Sequence, residues 1–191
     1  MRQLIATEYM TLDGVMEAPG GEQSLGSRGG WSFQFWNEEA AKFKFDELFA
    51  SDTLLLGRVT YQIFAAAWPS RTDEQGFADR MNSLPKYVVS TSLEKLDWNN
   101  SHLIKENVVE EVSRLKQKRG QNILLYGSAD LVHTLMQHNL IDEYHLMVYP
   151  IVLGIGKRLF DGTSSATLKL LEAQTFSSGV VVLTYQPERK E

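Results

Sequence analysis

Two glycines mark where this sequence could do chemistry. In Thr53-Leu-Leu-Leu-Gly57-Arg58-Val59-Thr60, and again in Asn122-Ile-Leu-Leu-Tyr-Gly127-Ser128-Ala129, a short apolar run ends in glycine and passes directly into residues at helical spacing. Such a run reads as a strand covered on both faces, and the change of period marks a strand-to-helix turn. The first turn of the helix then carries N–H groups without intrahelical partners, which favours an anion. Arg58 and Thr60 add a cation and a hydroxyl, a pairing that suits phosphate better than a neutral ligand. Ser128 adds a hydroxyl that can cap its own helix. Ser90-Thr91-Ser92 closes a third apolar run with three more hydroxyls, although such residues also satisfy loop backbone. Each element alone fits an ordinary α/β turn, and their repetition is what points to a ligand.

Asp13-Gly14 follows the first apolar run and allows two readings. Asp13 is either the acceptor of its own turn or an acid close to a ligand, which the glycine lets the backbone approach. The glycine- and proline-rich stretch after it predicts an irregular segment over residues 17–35, a length typical of a lid or an insert. Trp31, Phe33, Phe35 and Trp36 favour a lid, packed on the core or walling a pocket. Metal chemistry finds no ligand set: there is no cysteine, and His133 and His138 are five apart, off the helical spacing a metal pair uses.

These groups need a scaffold, and composition bounds it. With 191 residues and 43% hydrophobic content the chain supports one well-covered core, read as a single domain over 1–191. Net charge is −5 and no basic run is longer than the Arg189-Lys190 tail pair, which argues against nucleic acid or anionic membrane and for a small-molecule partner. The start lacks a signal peptide's apolar core and no stretch is long enough to span a bilayer, so a cytoplasmic protein is expected. Strands are predicted over 2–9, 53–57, 86–92, 122–126, 142–150, 167–176 and 179–186. Helices are predicted over 38–50, capped by Asn37 and burying Ala41, Phe45, Leu48 and Phe49; from 58 onward; over a short stretch between Pro69 and Pro85; over 107–119, with an Asn107/Glu110 capping box; and after Ser128. Gly154-x-Gly156 lacks the third glycine of a dinucleotide fingerprint and reads as a loop. Strands alternating with helices, closed by a hairpin, imply an α/β fold with a mostly parallel central sheet and an antiparallel C-terminal edge.

The elements Leu55-Leu-Gly-Arg-Val-Thr-Tyr61 and Leu125-Tyr-Gly-Ser-Ala-Asp-Leu131, with Thr11-Leu-Asp-Gly14, resemble the dihydrofolate reductase-like superfamily. The run Leu140-Ile-Asp-Glu-Tyr-His-Leu-Met-Val-Tyr-Pro-Ile-Val-Leu-Gly-Ile-Gly-Lys-Arg-Leu-Phe160 is similar, more closely, to the C-terminal reductase domain of riboflavin-biosynthesis proteins. The resemblance spans nearly the whole chain and implies a three-layer dihydrofolate reductase-like fold, a homodimer, and a reductase that uses NADPH. On that footing Gly57, Val59, Thr60 and the N–H groups beside them hold the pyrophosphate, Arg58 with Ser90 and Thr91 reads the adenosine 2′-phosphate, and Gly127, Ser128 and Ala129 flank the pyrophosphate from the other side. Asp13 lies on the loop that borders the nicotinamide in this superfamily, and Trp31, Phe35 and Trp36 wall the substrate slot.

The sequence also departs from both relatives. Ile63-Phe-Ala-Ala-Ala-Trp-Pro69 stands where the pyrimidine reductases carry an acidic, proline-containing segment, and Asp46 and Glu47 read as solvated charges, offering no clear counterpart to the carboxylate that holds the pterin in dihydrofolate reductases. The expected substrate is a planar nitrogen heterocycle or a conjugated carbonyl compound, as for 5-amino-6-(5-phosphoribosylamino)uracil reductase or dihydrofolate reductase. A nucleotide-binding homodimer of the same fold without turnover is the alternative. Asp130, in the first turn after Gly127, sets a carboxylate where a phosphate would approach, unless its side chain turns away.

Overall fold

A computed structural model describes residues 1–21, 23–162 and 165–188, so Arg189 and Lys190 lie outside the described residues. One sheet organises them, built from β1 (Leu4–Thr11), β2 (Ser51–Gly57), β3 (Lys86–Val89), β4 (Ser101–Ile104), β5 (Asn122–Leu125), β6 (Glu143–Tyr149), β7 (Leu168–Thr175) and β8 (Val181–Pro187). The spatial order is β4-β3-β2-β5-β1-β6-β8-β7, parallel from β4 to β6 and antiparallel at β8 and β7. The helices are α1 (Glu38–Phe49), α2 (Arg58–Ala67), α3 (Phe77–Ser83), α4 (Val108–Gln117) and α5 (Ala129–Gln137).

Alternation along the strands divides the core between two faces. Leu4, Ala6, Leu55 and Leu125 pack with Val112 and Leu115 of α4 and with Leu131 and Val132 of α5. Ile5, Leu54, Leu56 and Leu124 pack with Leu48 of α1, Tyr61 of α2 and Met81 of α3. The result is the expected three-layer α/β architecture with an antiparallel edge. Among the described residues, no helix is long and apolar enough to cross a membrane.

Three local expectations need correction. β4 has no counterpart among the predicted strands: as an edge strand it fully buries only Ile104, so it shows no apolar run. The Asn107/Glu110 capping box does not form, because Asn107 takes a left-handed conformation (φ +52°) and makes no side-chain cap. Helix α1 is also rotated from its predicted stripe. Its buried residues are Ala40, Lys44, Glu47 and Leu48, while Phe45 and Phe49 stack on each other at 4.1 Å toward the outside. Asn37 does cap α1, accepting from the Ala40 N–H at 2.9 Å.

At the centre of the sheet the strands pair over different lengths. β1 and β5 pair only as far as Ala6 and Leu125, whereas β1 runs on beside β6 to Thr11. β1 and β5 therefore part at their carboxyl ends, where α/β sheets place their ligands.

Candidate functional site

The carboxyl ends of β2, β3 and β5 enclose a cleft of about 290 Å³, lined by Gly57, Arg58, Val59, Ser90, Thr91 and Ser128 among others. Three segments remote in sequence thus meet at one place. The Gly57 N–H donates to the Gly127 carbonyl at 2.8 Å and joins the two glycine turns directly. A Cβ on Gly57 would stand 2.5 Å from Ser128 Oγ and 2.8 Å from Ser128 N, so only glycine permits this approach. Gly127 has φ +85°, and a Cβ there would stand 3.2 Å from Thr60 Oγ1. Thr60 therefore reaches the Gly127 turn, while Ala129 is buried behind Ser128.

The hydroxyls of the cleft are committed differently. Ser128 occupies the N-cap position of α5, but its hydroxyl makes no capping bond, and α2 likewise begins without a side-chain cap at Gly57. Both helices keep first-turn N–H groups available beside the cleft. Ser90 is spent on its own loop, accepting from Ser92 N at 3.2 Å and Leu93 N at 3.0 Å. Thr91 is exposed. Arg58 is exposed as well and donates to Gln62 Oε1 at 3.1 Å, one turn along its own helix. Asp130 also lines the cleft, and its Oδ1 lies 2.6 Å from Lys157 Nζ, so its charge is offset.

Asp13 is a turn residue. Its Oδ1 accepts from Thr11 Oγ1 at 2.6 Å and from Leu153 N at 3.2 Å, and its Oδ2 from Gly154 N at 2.8 Å. The Thr11 hydroxyl foremost, helped by these N–H groups, pulls its pKa down to about 2. These bonds are those of a turn acceptor and support the turn reading of Asp13.

The aromatics of the 17–35 segment divide. Trp31 is 3% exposed, donates from Nε1 to the Glu17 carbonyl and meets Tyr149 edge-on at 5.2 Å; Phe35 lies 6.0 Å from the same ring. Trp36 is turned outward, 47% exposed. None of the three lines the cleft at the ends of β2, β3 and β5.

A second group of side chains, which the sequence reading did not single out, lies between β1, α1 and β6. Lys44 and Glu47 are buried, and Glu47 accepts from Lys44 Nζ, from Thr7 Oγ1 at 2.9 Å and from His145 Nδ1 at 2.6 Å. His145 Nε2 lies 2.6 Å from Glu143 Oε1. Glu47 is thus no solvated charge; Asp46, paired with Lys42 at the surface, is. The one available signal was the i,i+3 spacing of Lys44 and Glu47, which lets a neutral pair enter together. Burial opposes both charges, yet Lys44 and His145 hold Glu47 below the ordinary carboxylate range, while hydrogen bonds to Glu143 and Glu47 raise His145 to about 9. Glu8 goes the other way: burial lifts it to about 8, against the pull of Lys44.

These shifts give stability a slope with pH. His145 ordinarily titrates near 6.5 and Glu8 near 4.5, so below about 8 the folded protein holds protons that the unfolded chain releases. Stabilisation that is full below each ordinary value is lost as pH rises through the folded one. Lys86, lowered by burial to about 8, slopes the opposite way only above that pH. Urea unfolding should accordingly lose on the order of 2 kcal/mol between pH 6.5 and 8. A flat profile over that window would show that neither proton is held.

Comparison with known proteins agrees with this architecture. The model of the RibD C-terminal domain matches residues 2–182. The uncharacterized protein YyaP of Bacillus subtilis (strain 168) is 35% identical over 188 residues, covering 96% of this chain and 94% of its own. Among solved structures, a putative riboflavin biosynthesis protein from Shewanella sp. PV-4 superposes with a TM-score of 0.76 at 21% identity, covering 98% of this chain and 99% of the other. Dihydrofolate reductase from Enterococcus faecalis, solved with NADP(H) and RAB-propyl, gives 0.63 at 13% identity, with 98% and 97% covered.

Proposed function

We propose, for a chain that belongs to the RibD C-terminal domain family, that this reductase uses NADPH and reduces a small planar substrate with a conjugated C=N or C=O bond. The observation that carries the cofactor is the cleft where Gly57, Arg58, Ser128 and Thr91 come together. The two glycines let the turns touch where a methyl group would clash, first-turn N–H groups of two helices border the cleft, and Lys157 offsets the Asp130 carboxylate. Such a cradle fits a diphosphate. On this reading Arg58, exposed at the rim, pairs with the 2′-phosphate and Thr60 with the diphosphate at the Gly127 turn. When bound, NADPH supplies the hydride. The chain's own part is to hold the phosphates, orient the flat ring toward the ends of β1 and β5, and keep water from the reacting face.

Titration of NADPH against the fluorescence of the four tryptophans tests the reading. Quenching that saturates in the micromolar range supports it, and none up to millimolar cofactor in a folded protein rejects it. Arg58→Ala should weaken NADPH by about 2 kcal/mol, the worth of a charge-assisted contact, and leave NADH nearly unchanged. Equal losses for the two cofactors would make Arg58 structural. Absorbance of NADPH, followed across a panel of heterocycles and conjugated carbonyl compounds, separates a reductase from a binder without turnover.

A further inference from the structure

Where β1 and β5 part, an ammonium lies beside two polar groups that lack a full set of partners. Lys44 Nζ donates to Thr7 Oγ1 at 2.7 Å and to Glu47, and an ammonium has a third hydrogen to give. It stands 4.7 Å from the centroid of the Tyr126 ring and 5.5 Å from that of Tyr9. Both rings are partly exposed, whereas Lys44 is buried. The Tyr126 hydroxyl oxygen is itself buried and has no hydrogen-bond partner.

Glu8, 4% exposed, lies in the same cluster. Lys44 and Glu47 act on its carboxyl, the Gly127 N–H donates to it, and its Oε1 has no partner. Buried polar groups in folded proteins are nearly always paired, so two orphans at one place ask for a ligand. Burial keeps both in their neutral forms at neutral pH: the Tyr126 phenol is pushed well above its ordinary range and Glu8 to about 8. Both therefore donate. Glu47, which acts on both, is already occupied by Thr7, Lys44 and His145. A cation entering the slot would meet an ammonium and find no free carboxylate. An oxygen with lone pairs or negative charge would find three donors.

Building on the reductase reading, we infer that the slot between β1 and β5 binds an electron-rich oxygen through Lys44, the Tyr126 hydroxyl and the Glu8 carboxyl, and that the substrate is a conjugated carbonyl compound rather than a protonated heterocycle.

4-Nitrophenol is a suitable probe, because its anion absorbs visible light and reports its own ionisation. At a pH below its solution pKa, the full-length protein is expected to bind it as the phenolate, with absorbance of the anion rising to saturation. Tyr126→Phe removes only the unpaired hydroxyl. It should weaken phenolate binding about tenfold while leaving the unfolding midpoint unchanged or higher. Lys44→Met should abolish binding; should that variant fail to fold, Tyr126→Phe decides the matter alone. Binding as the neutral phenol, equal affinity in Tyr126→Phe, no binding, or tighter binding of protonated 2,4-diaminopyrimidine would each overturn the inference. NADPH quenching of the same protein separates the two readings. Cofactor binding without phenolate binding removes the oxygen site alone, and phenolate binding without cofactor binding removes the NADPH reading alone.

Discussion

Replacing Glu47 with alanine should lower the unfolding free energy by about 3–5 kcal/mol, the largest loss expected from any single exchange of a charged side chain here. Glu47 is 7% exposed and serves Thr7, Lys44 and His145 at once. Its removal leaves the Lys44 ammonium buried with only a threonine hydroxyl as acceptor. That cost exceeds what the pair contributes, because desolvation of an unpaired charge has no compensation. The double variant Lys44→Met/Glu47→Leu should therefore be more stable than Glu47→Ala, since neither charge then remains to be buried, and His145 keeps Glu143 as its partner. Denaturant unfolding of the three proteins checks this. A Glu47→Ala protein within about 1 kcal/mol of the parent would mean that water reaches Lys44 and the network is not buried as described.

The second large effect concerns binding more than stability. Gly57→Ala should cost about 1–3 kcal/mol of stability through overpacking and about a hundredfold or more in NADPH affinity. Gly57 has an ordinary φ of −75°, so no left-handed strain enters. The added methyl meets Ser128 N at 2.8 Å, and a backbone atom cannot rotate out of the way. The turns after β2 and β5 must move apart, breaking the 2.8 Å bond between Gly57 and Gly127 that holds the cradle together. Gly154→Ala is the control: with φ +73° and nothing within 4 Å of the new methyl, it carries left-handed strain of about 1–2 kcal/mol and should leave the cofactor alone. Fluorescence titration decides. If Gly57→Ala binds NADPH as the parent does, the glycine turns are not the cofactor cradle.

Much of this was legible along the chain because it is local. The apolar runs at Leu54–Leu56 and Ile123–Leu125, the glycines that end them and the helices after them are consequences of nearest-neighbour sterics and period, and they led to the parallel sheet and to the cleft lined by Gly57, Arg58, Ser128 and Thr91. The antiparallel end came from two runs joined by a short turn. Other features had no local cause. Glu8 reads in sequence as a polar residue in a strand, and Lys44 and Glu47 as charges on an amphipathic helix; their burial depends on β1, α1 and β6 arriving together, so that each charge finds its partner within the fold. Helix α1 turns its charged pair inward and leaves Phe45 and Phe49 stacked outside, the reverse of what hydrophobicity alone predicts, because a neutralised pair can enter the interior where a lone charge cannot. Asp-Gly allowed two readings of Asp13 and favoured the turn, and Leu153 and Gly154, 140 and 141 positions away, add support by donating to its carboxylate. Period, glycine and hydroxyl placement were enough to find the turns that meet at the cleft; which buried groups gather between β1, α1 and β6 depended on pairing between distant segments, where desolvation makes a charge stable or not according to what stands opposite.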